Sequence, residues 1–225
     1  MTLTLTKKEA RLGWFFLLCQ VLVIPFAVSL LCVMLGITSE AVINQTCFFL
    51  SAALAVVIFR PLLAQSLQNC TGRWKQTLLT AAKGFGLYWL VNVAMTWLVL
   101  LVEPDFGNIN DENILAMLEQ SPLLMTLAVV FAAPLAEECL FRGWMFTGLA
   151  KKSLPLAYAV TCGFFSAAHI MSYLGTYEPR TLLLCFIQYL GPSYVLCRTC
   201  RKDNSLCAPL LLHMLINAIG CVIMR

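Results

Sequence analysis

The sequence predicts an all-α fold, a polytopic bundle of about seven transmembrane helices. Hydrophobic residues make up 60% of the 225 positions and charged residues only 12%, whereas a soluble domain carries about 25% charged residues. Several apolar runs reach the length of about 20 residues that a helix needs to cross a bilayer. Helices are predicted because every backbone polar group in hydrocarbon must find its hydrogen bond within the protein.

Hydropathy sets the order and approximate limits of the predicted spans. They lie at about residues 12–37, 41–59, 84–102, 123–149, 154–175, 181–197 and 206–224. The first apolar run is longer than the about 7–15 residues of a cleavable signal peptide, so we expect an uncleaved span. The sixth is short and contains Gly191 and Pro192. No repeat or linker divides the chain, and we expect a single membrane domain over residues 1–225.

The loops between the predicted spans alternate in charge. One side carries Lys7, Lys8, Arg11, Arg60, Arg73, Lys75, Lys151, Lys152, Arg198, Arg201 and Lys202. The other carries Glu40, Glu103, Asp105, Asp111, Glu112, Glu119 and Glu178, with Arg180 and Arg225 as exceptions. Basic loops face the cytoplasm, which predicts a cytoplasmic N-terminus.

This distribution also bears on partners and location. Although the net charge is +4, the basic residues flank spans, so membrane lipid is the expected partner and nucleic acid is not. The compact chain lacks a large soluble domain, which favours a prokaryotic plasma membrane. Within the acidic loop 103–122, residues 113–120 are expected to form a short amphipathic helix on the outer surface.

A small set of polar residues falls inside the predicted spans. Glu137, Glu138 and Arg142 lie in the fourth span, His169 in the fifth, and His213 and Asn217 in the seventh; the two histidines are the only ones in the chain. A central Asp or Arg costs about 2.5–3.5 kcal/mol, and each Leu, Ile, Phe or Val returns only about 0.3–0.6 kcal/mol. These side chains must therefore face other helices or water, and each is a functional-site hypothesis.

Helical spacing predicts how these residues are arranged. Glu138 and Arg142 are four residues apart and share a face, so we expect an ion pair. Glu137 points about 100° away and is left available for chemistry. Pro134 removes a backbone hydrogen bond and is expected to kink the helix before the site. Gly163 and Ala167 are expected to let the fifth span approach a neighbour closely.

These residue types suit peptide hydrolysis. A carboxylate beside a histidine in a low-dielectric pocket can deprotonate water as a general base. His213 and Asn217, four residues apart on one face, can donate hydrogen bonds to a developing oxyanion.

Three ordered motifs give the sequence a specific resemblance. They are Glu137-Glu138-Cys-Leu-Phe-Arg142, Phe165-Ser-Ala-Ala-His169 and His213-Met-Leu-Ile-Asn217. Over about residues 123–220 the chain resembles the CAAX-protease and bacteriocin-processing family, also called the CPBP or Abi family. The resemblance implies a glutamate-dependent intramembrane endopeptidase. Separately, we expect no cofactor. By motif position, Glu137 and His169 would activate water, and His213 and Asn217 would form the oxyanion site. Glu138 and Arg142 would orient them.

Other interpretations of the same residues remain open. Glu137, His169 and His213 form a credible catalytic zinc shell, although the helical His-Glu-xx-His motif is missing. Phe165 is expected to pack and position its helix, and Asn217 alone is also explained by a hydrogen bond between helices. A proton-coupled transporter would use the same Glu and His residues as a relay, and a non-proteolytic scaffold would use none of them chemically.

The expected substrates follow from the burial of the site. A site inside the bilayer is reached from the membrane, so we expect lipidated tails, leader peptides or transmembrane segments as substrates.

Overall fold

The computed structural model describes residues 3–223, and in that range the chain is helical with no β-strand. Its helices are α1 Lys7–Met34, α2 Glu40–Ile58, α3 Arg60–Thr71, α4 Trp74–Leu100, α5 Ile109–Gln120, α6 Pro122–Ala150, α7 Leu154–Tyr173, α8 Pro179–Asp203 and α9 Cys207–Ile223. The predicted all-α bundle is confirmed, and each predicted span overlaps one of these helices, although the third helix that was predicted begins ten residues earlier than expected, at Trp74.

Five of the described helices are both long and apolar enough to cross a membrane: α1, α2, α4, α6 and α7. Helix α9 is apolar but has only 17 residues, at the lower end of the about 17–25 that a span requires. Helix α8 has 25 residues and mixed polarity. On the outside of α1 and α4, Phe26, Trp89 and Trp97 are 68%, 61% and 65% exposed, as expected of side chains that face lipid.

The connecting segments meet at two opposite ends of the bundle. At the basic end, Asn69 Nδ2 donates to the Asn204 carbonyl at 3.0 Å, and Leu3 N donates to Asn204 Oδ1 at 3.3 Å. At the acidic end, Arg180 forms an ion pair with Glu103 at 3.0 Å, which explains its exceptional position there. The loops thus separate as the charge pattern predicts, while Arg225 lies outside the described residues.

Two acids that accompany the basic loops, Glu9 and Asp203, are each 1% exposed. The Glu9 carboxylate accepts from Thr6 N at 2.8 Å and from Leu62 N at 2.8 Å, so it caps α1 and α3 together. Asp203 Oδ1 accepts from the Thr77 hydroxyl at 3.0 Å. Because both carboxylates are buried and hydrogen-bonded inside the protein, they do not offset the positive charge on the surface of that end.

Helix α6 is the centre of the bundle. Its most apolar 18-residue window is 61% buried, against 33% or less in the other four candidate spans. The predicted disturbance at Pro134 takes the form of a wide π-helical turn over Ala128–Ala132, and a second π-helical segment covers Glu138–Phe146. Such turns frequently mark functional sites in helices.

The close approach predicted at Gly163 is wrong. A Cβ atom added there would meet nothing within 4 Å, so that face of α7 is open. Helices come closest at other glycines: a Cβ at Gly84 would lie 2.7 Å from Thr199 Oγ1, and one at Gly13 would lie 2.1 Å from Trp144 Nε1. A small residue permits a close approach, but the rotation of the helix decides whether it faces a neighbour.

Candidate active site

Helices α6, α7, α8 and α9 converge on the predicted polar residues. The second π-helical segment of α6 is buried along its whole length, and it presents Glu138 and Arg142. Glu137 ends the preceding turn. Helix α7 brings His169 and Phe165, and α9 brings His213 and Asn217.

The predicted ion pair between Glu138 and Arg142 is present. Arg142 Nη1 donates to Glu138 Oε1 at 3.0 Å, with side chains 0% and 1% exposed. Arg142 Nη2 also donates to the carbonyl and hydroxyl oxygens of Ser193 on α8, at 3.3 and 3.1 Å. The guanidinium carbon lies 4.4 Å from the centre of the Phe165 ring, a cation–π distance. Arg142 therefore joins α6, α7 and α8.

Glu138 also holds His213. His213 Nδ1 lies 2.9 Å from Glu138 Oε1, the oxygen that accepts from Arg142. A carboxylate only accepts, so Nδ1 carries the proton, as in carboxylate–histidine pairs that fix an imidazole ring. The other ring nitrogen, Nε2, is 3.8 Å from Glu137 Oε2.

Glu137 occupies a different environment from Glu138. Its side chain is 15% exposed, yet Oε2 is buried and has no hydrogen-bond partner among the described residues. The 3.8 Å separation from His213 Nε2 is too long for a hydrogen bond. Within residues 3–223 no ion pair joins Glu137 to His169, and the imidazole nitrogen that lies within 4 Å of the Glu137 carboxylate is Nε2 of His213.

His169 lies in the last α-helical turn of α7. Its Nδ1 is 2.8 Å from the Phe165 carbonyl oxygen, which only accepts, so Nδ1 is protonated and Nε2 remains the free acceptor. The imidazole centre is 4.4 Å from the Phe165 ring and 4.2 Å from the Tyr189 ring. Phe165 also contacts the His213 ring, at 6.1 Å, so it separates the two histidines.

Asn217 satisfies a backbone group that Pro134 leaves unpaired. In the first π-helical turn Ala133 N donates to Ala128 O, so the next carbonyl in that register, Val129, faces Pro134, which has no N–H. Asn217 Nδ2 donates to Val129 O at 2.8 Å. One amide hydrogen of Asn217 is therefore used to join α9 to α6.

Two residues of this site, Ser193 and Tyr189, were not found by sequence reasoning. Both lie on α8 within three residues of Pro192, which together with Gly191 marked this helix as unusual in the sequence. Pro192 cannot donate to the carbonyl four residues earlier, and such interruptions in membrane helices are tolerated where neighbouring groups compensate.

The alternative zinc shell of Glu137, His169 and His213 does not fit this geometry. Among residues 3–223 no three His, Cys, Asp or Glu side chains are grouped so as to hold a metal ion.

Comparison with known proteins identifies the same part of the chain. Residues 119–219, somewhat under half of the chain, match the family model of the Rce1-like type II CAAX prenyl endopeptidases. This range contains all of the motif residues and confirms the resemblance. No curated protein and no solved structure matches the chain. The match supports a CAAX-type intramembrane protease that acts on membrane-associated peptides.

Proposed function

We propose that this chain, which matches the Rce1-like CAAX endopeptidases over residues 119–219, is an endopeptidase in which Glu137 and His169 activate water. His213 and Asn217 stabilise the oxyanion in this proposal, and no metal takes part. Glu138, Arg142 and Phe165 orient the reacting groups.

The observation that carries the proposal is the unpartnered Oε2 of Glu137. A buried polar atom without a hydrogen bond costs free energy, and a water molecule is the smallest group that satisfies it. The partial exposure of this side chain, 15%, gives water access. Glu138, one residue later, also has an unpartnered oxygen, Oε2, but its side chain is only 1% exposed. Its Oε1 is engaged by Arg142 and His213, so Glu138 is left to orient them.

His169 is prepared to assist because its tautomer is fixed. With Nδ1 donating to Phe165 O, the lone pair on Nε2 can accept a hydrogen bond from the water. General-base assistance of this kind contributes about 10²–10⁴-fold to a rate.

His213 fits the oxyanion site when both ring nitrogens carry protons. Nδ1–H donates to Glu138, and Nε2–H then points towards the reacting carbonyl. The carboxylates of Glu137 and Glu138 balance the positive charges of Arg142 and this imidazolium, which suits a site of low dielectric. Asn217 retains a second amide hydrogen for the same oxyanion.

The reaction then balances without a further reactant. Water oxygen attacks the peptide carbonyl carbon while a water proton passes to Glu137. The carbonyl oxygen becomes negative and accepts from His213 and Asn217, in the manner of an oxyanion hole. When the tetrahedral intermediate collapses, the C–N bond breaks and the leaving nitrogen takes the proton from Glu137.

Substrates that reach such a site come from the membrane. Lipidated tails, leader peptides and transmembrane segments meet this requirement. The basic loops favour a cytoplasmic N-terminus under the positive-inside rule. A prokaryotic plasma membrane is the proposed location.

The test compares peptide termini in membranes from cells that express wild type or Glu137→Gln at equal abundance. Glu119→Gln is the matched control, since Glu119 is an exposed glutamate of α5. New termini that appear with wild type and Glu119→Gln, but not with Glu137→Gln, support the proposal and identify substrates. Identical termini in all three membranes overturn it and favour a scaffold or a transporter.

A further inference from the structure

Tyr189 of α8 lies face to face with His169. The two ring centres are 4.2 Å apart and the planes are inclined by 28°. Tyr189 is not part of any motif in the sequence, and its ring is the only aromatic contact to His169 from outside α7 among the described residues.

The hydroxyl of Tyr189 is held by the first turn of α5. It donates to Asp111 Oδ1 at 3.1 Å and accepts from Asn110 Nδ2 at 3.0 Å. Asn108, the N-cap of α5, donates through Nδ2 to Gln188 Oε1 at 2.6 Å. The start of α5 therefore forms hydrogen bonds with two consecutive residues of α8, Gln188 and Tyr189.

Helix α8 continues through this turn with Pro192 inside it, so one backbone hydrogen bond is missing here. Pro192 has no N–H for the Gln188 carbonyl, so the backbone of α8 does not by itself fix this turn. The polar contacts from α5 add fixed points to this turn, since they hold the Gln188 side chain and the Tyr189 hydroxyl.

His169 in turn needs an external support. It stands in the last turn of the α-helical part of α7, which ends at Ile170, and its single side-chain hydrogen bond is to Phe165 O. A single hydrogen bond at Nδ1 does not by itself fix the orientation of the imidazole ring. The Tyr189 ring, stacked at 4.2 Å, restricts the orientation of the imidazole and therefore the direction in which Nε2 points.

We propose that Tyr189 is a positioning residue for His169, and that Asn110 and Asp111 of the surface helix α5 hold it in place. The inference rests on the proposed function, in which Nε2 of His169 must be aimed at the attacking water. A displacement of about 1 Å at a reacting group costs about 10²-fold in rate.

The test uses Tyr189→Leu, which removes the ring, and Tyr189→Phe, which removes only the hydroxyl. The matched control is Tyr194→Leu, on the same helix, where the lost ring contacts Tyr158 at 5.4 Å. Because the chain has two histidines, selective ¹⁵N-histidine labelling gives two imidazoles, and His213 serves as the internal reference.

In Tyr189→Leu the His169 nitrogens are expected to move towards tautomer-averaged shifts while those of His213 stay unchanged. The kcat is expected to fall about 10- to 100-fold with little change in KM. Tyr189→Phe falls between this variant and wild type, and Tyr194→Leu behaves as wild type.

If the His169 nitrogens have the same chemical shifts in Tyr189→Leu as in wild type, the inference is overturned, whatever the activity of the variant. Equal disturbance of both histidines in Tyr189→Leu would do so as well, because it would show general loosening. If wild type has no proteolytic activity the proposed function fails, but the resonances still decide the role of Tyr189.

Discussion

His213 Nδ1 lies 2.9 Å from Glu138 Oε1, and this contact connects a structural ion pair to the candidate active site. The same oxygen accepts from Arg142 at 3.0 Å, and Arg142 reaches Ser193 on α8. The orientation of His213 is therefore coupled to the packing of three helices.

Arg142→Met is expected to destabilise the protein strongly. Breaking a buried pair leaves an uncompensated charge and costs about 3–5 kcal/mol. Arg180→Met is the matched control, since the Arg180–Glu103 pair has the same 3.0 Å distance but side chains 60% and 40% exposed. Exposed pairs contribute about 0–1 kcal/mol.

Thermal unfolding in one detergent checks this difference. The Arg142 variant should melt several degrees below the Arg180 variant, as about 1 kcal/mol shifts the melting temperature by about 2–4 °C at this size. Equal melting temperatures for the two variants would contradict the assignment of Arg142 as a buried link.

The double role given to Asn217 predicts a dependence on Pro134. Asn217→Ala leaves Val129 O unpaired, at a cost of about 1–3 kcal/mol. In a Pro134→Ala background a backbone N–H is available for that carbonyl, so the same substitution should cost less. The oxyanion role is separate, and activity should fall about 10²–10³-fold in both backgrounds.

A double-mutant cycle of stability and rate measures both effects. Equal loss of stability in the two backgrounds would argue against the contact with Val129 O as compensation for Pro134. If Asn217→Ala keeps full activity, Asn217 does not stabilise the oxyanion.

Gly13→Ala is expected to disrupt the docking of α1 on α6. An added Cβ would lie 2.1 Å from Trp144 Nε1, which donates to Ala10 O at 3.1 Å. A rigid indole has to move, and overpacking of this kind costs about 1–3 kcal/mol. Gly86→Ala meets nothing within 4 Å in α4 and should gain up to about 1 kcal/mol of helix propensity. The prediction is wrong if the melting temperatures of Gly13→Ala and Gly86→Ala change in the same direction relative to wild type.

Proteolysis is expected to survive removal of divalent metals. The measurement is cleavage of an identified substrate after dialysis against a strong chelator, followed by addition of zinc. Loss of cleavage with recovery on zinc addition, and loss of zinc binding in His169→Ala, would replace the proposed water activation by metal chemistry.

The sequence by itself determined the structural features that depend on residues close to one another along the chain. Apolar runs long enough to span a bilayer force helices, because backbone groups must pair within each segment. The spacing of Glu138 and Arg142 brought their side chains together, since residues four apart meet on any helix. The charge of the loops separated the two ends of the bundle.

The tertiary structure decided everything that depends on how helices are rotated and tilted against each other. It brought His213 Nε2 within 4 Å of Glu137, directed Asn217 to the carbonyl that Pro134 leaves unpaired, and brought Ser193 to Arg142. It also left Gly163 facing open space. Contacts between helices follow from non-local packing of side chains, and a pattern read along one helix does not contain the rotation of its neighbour.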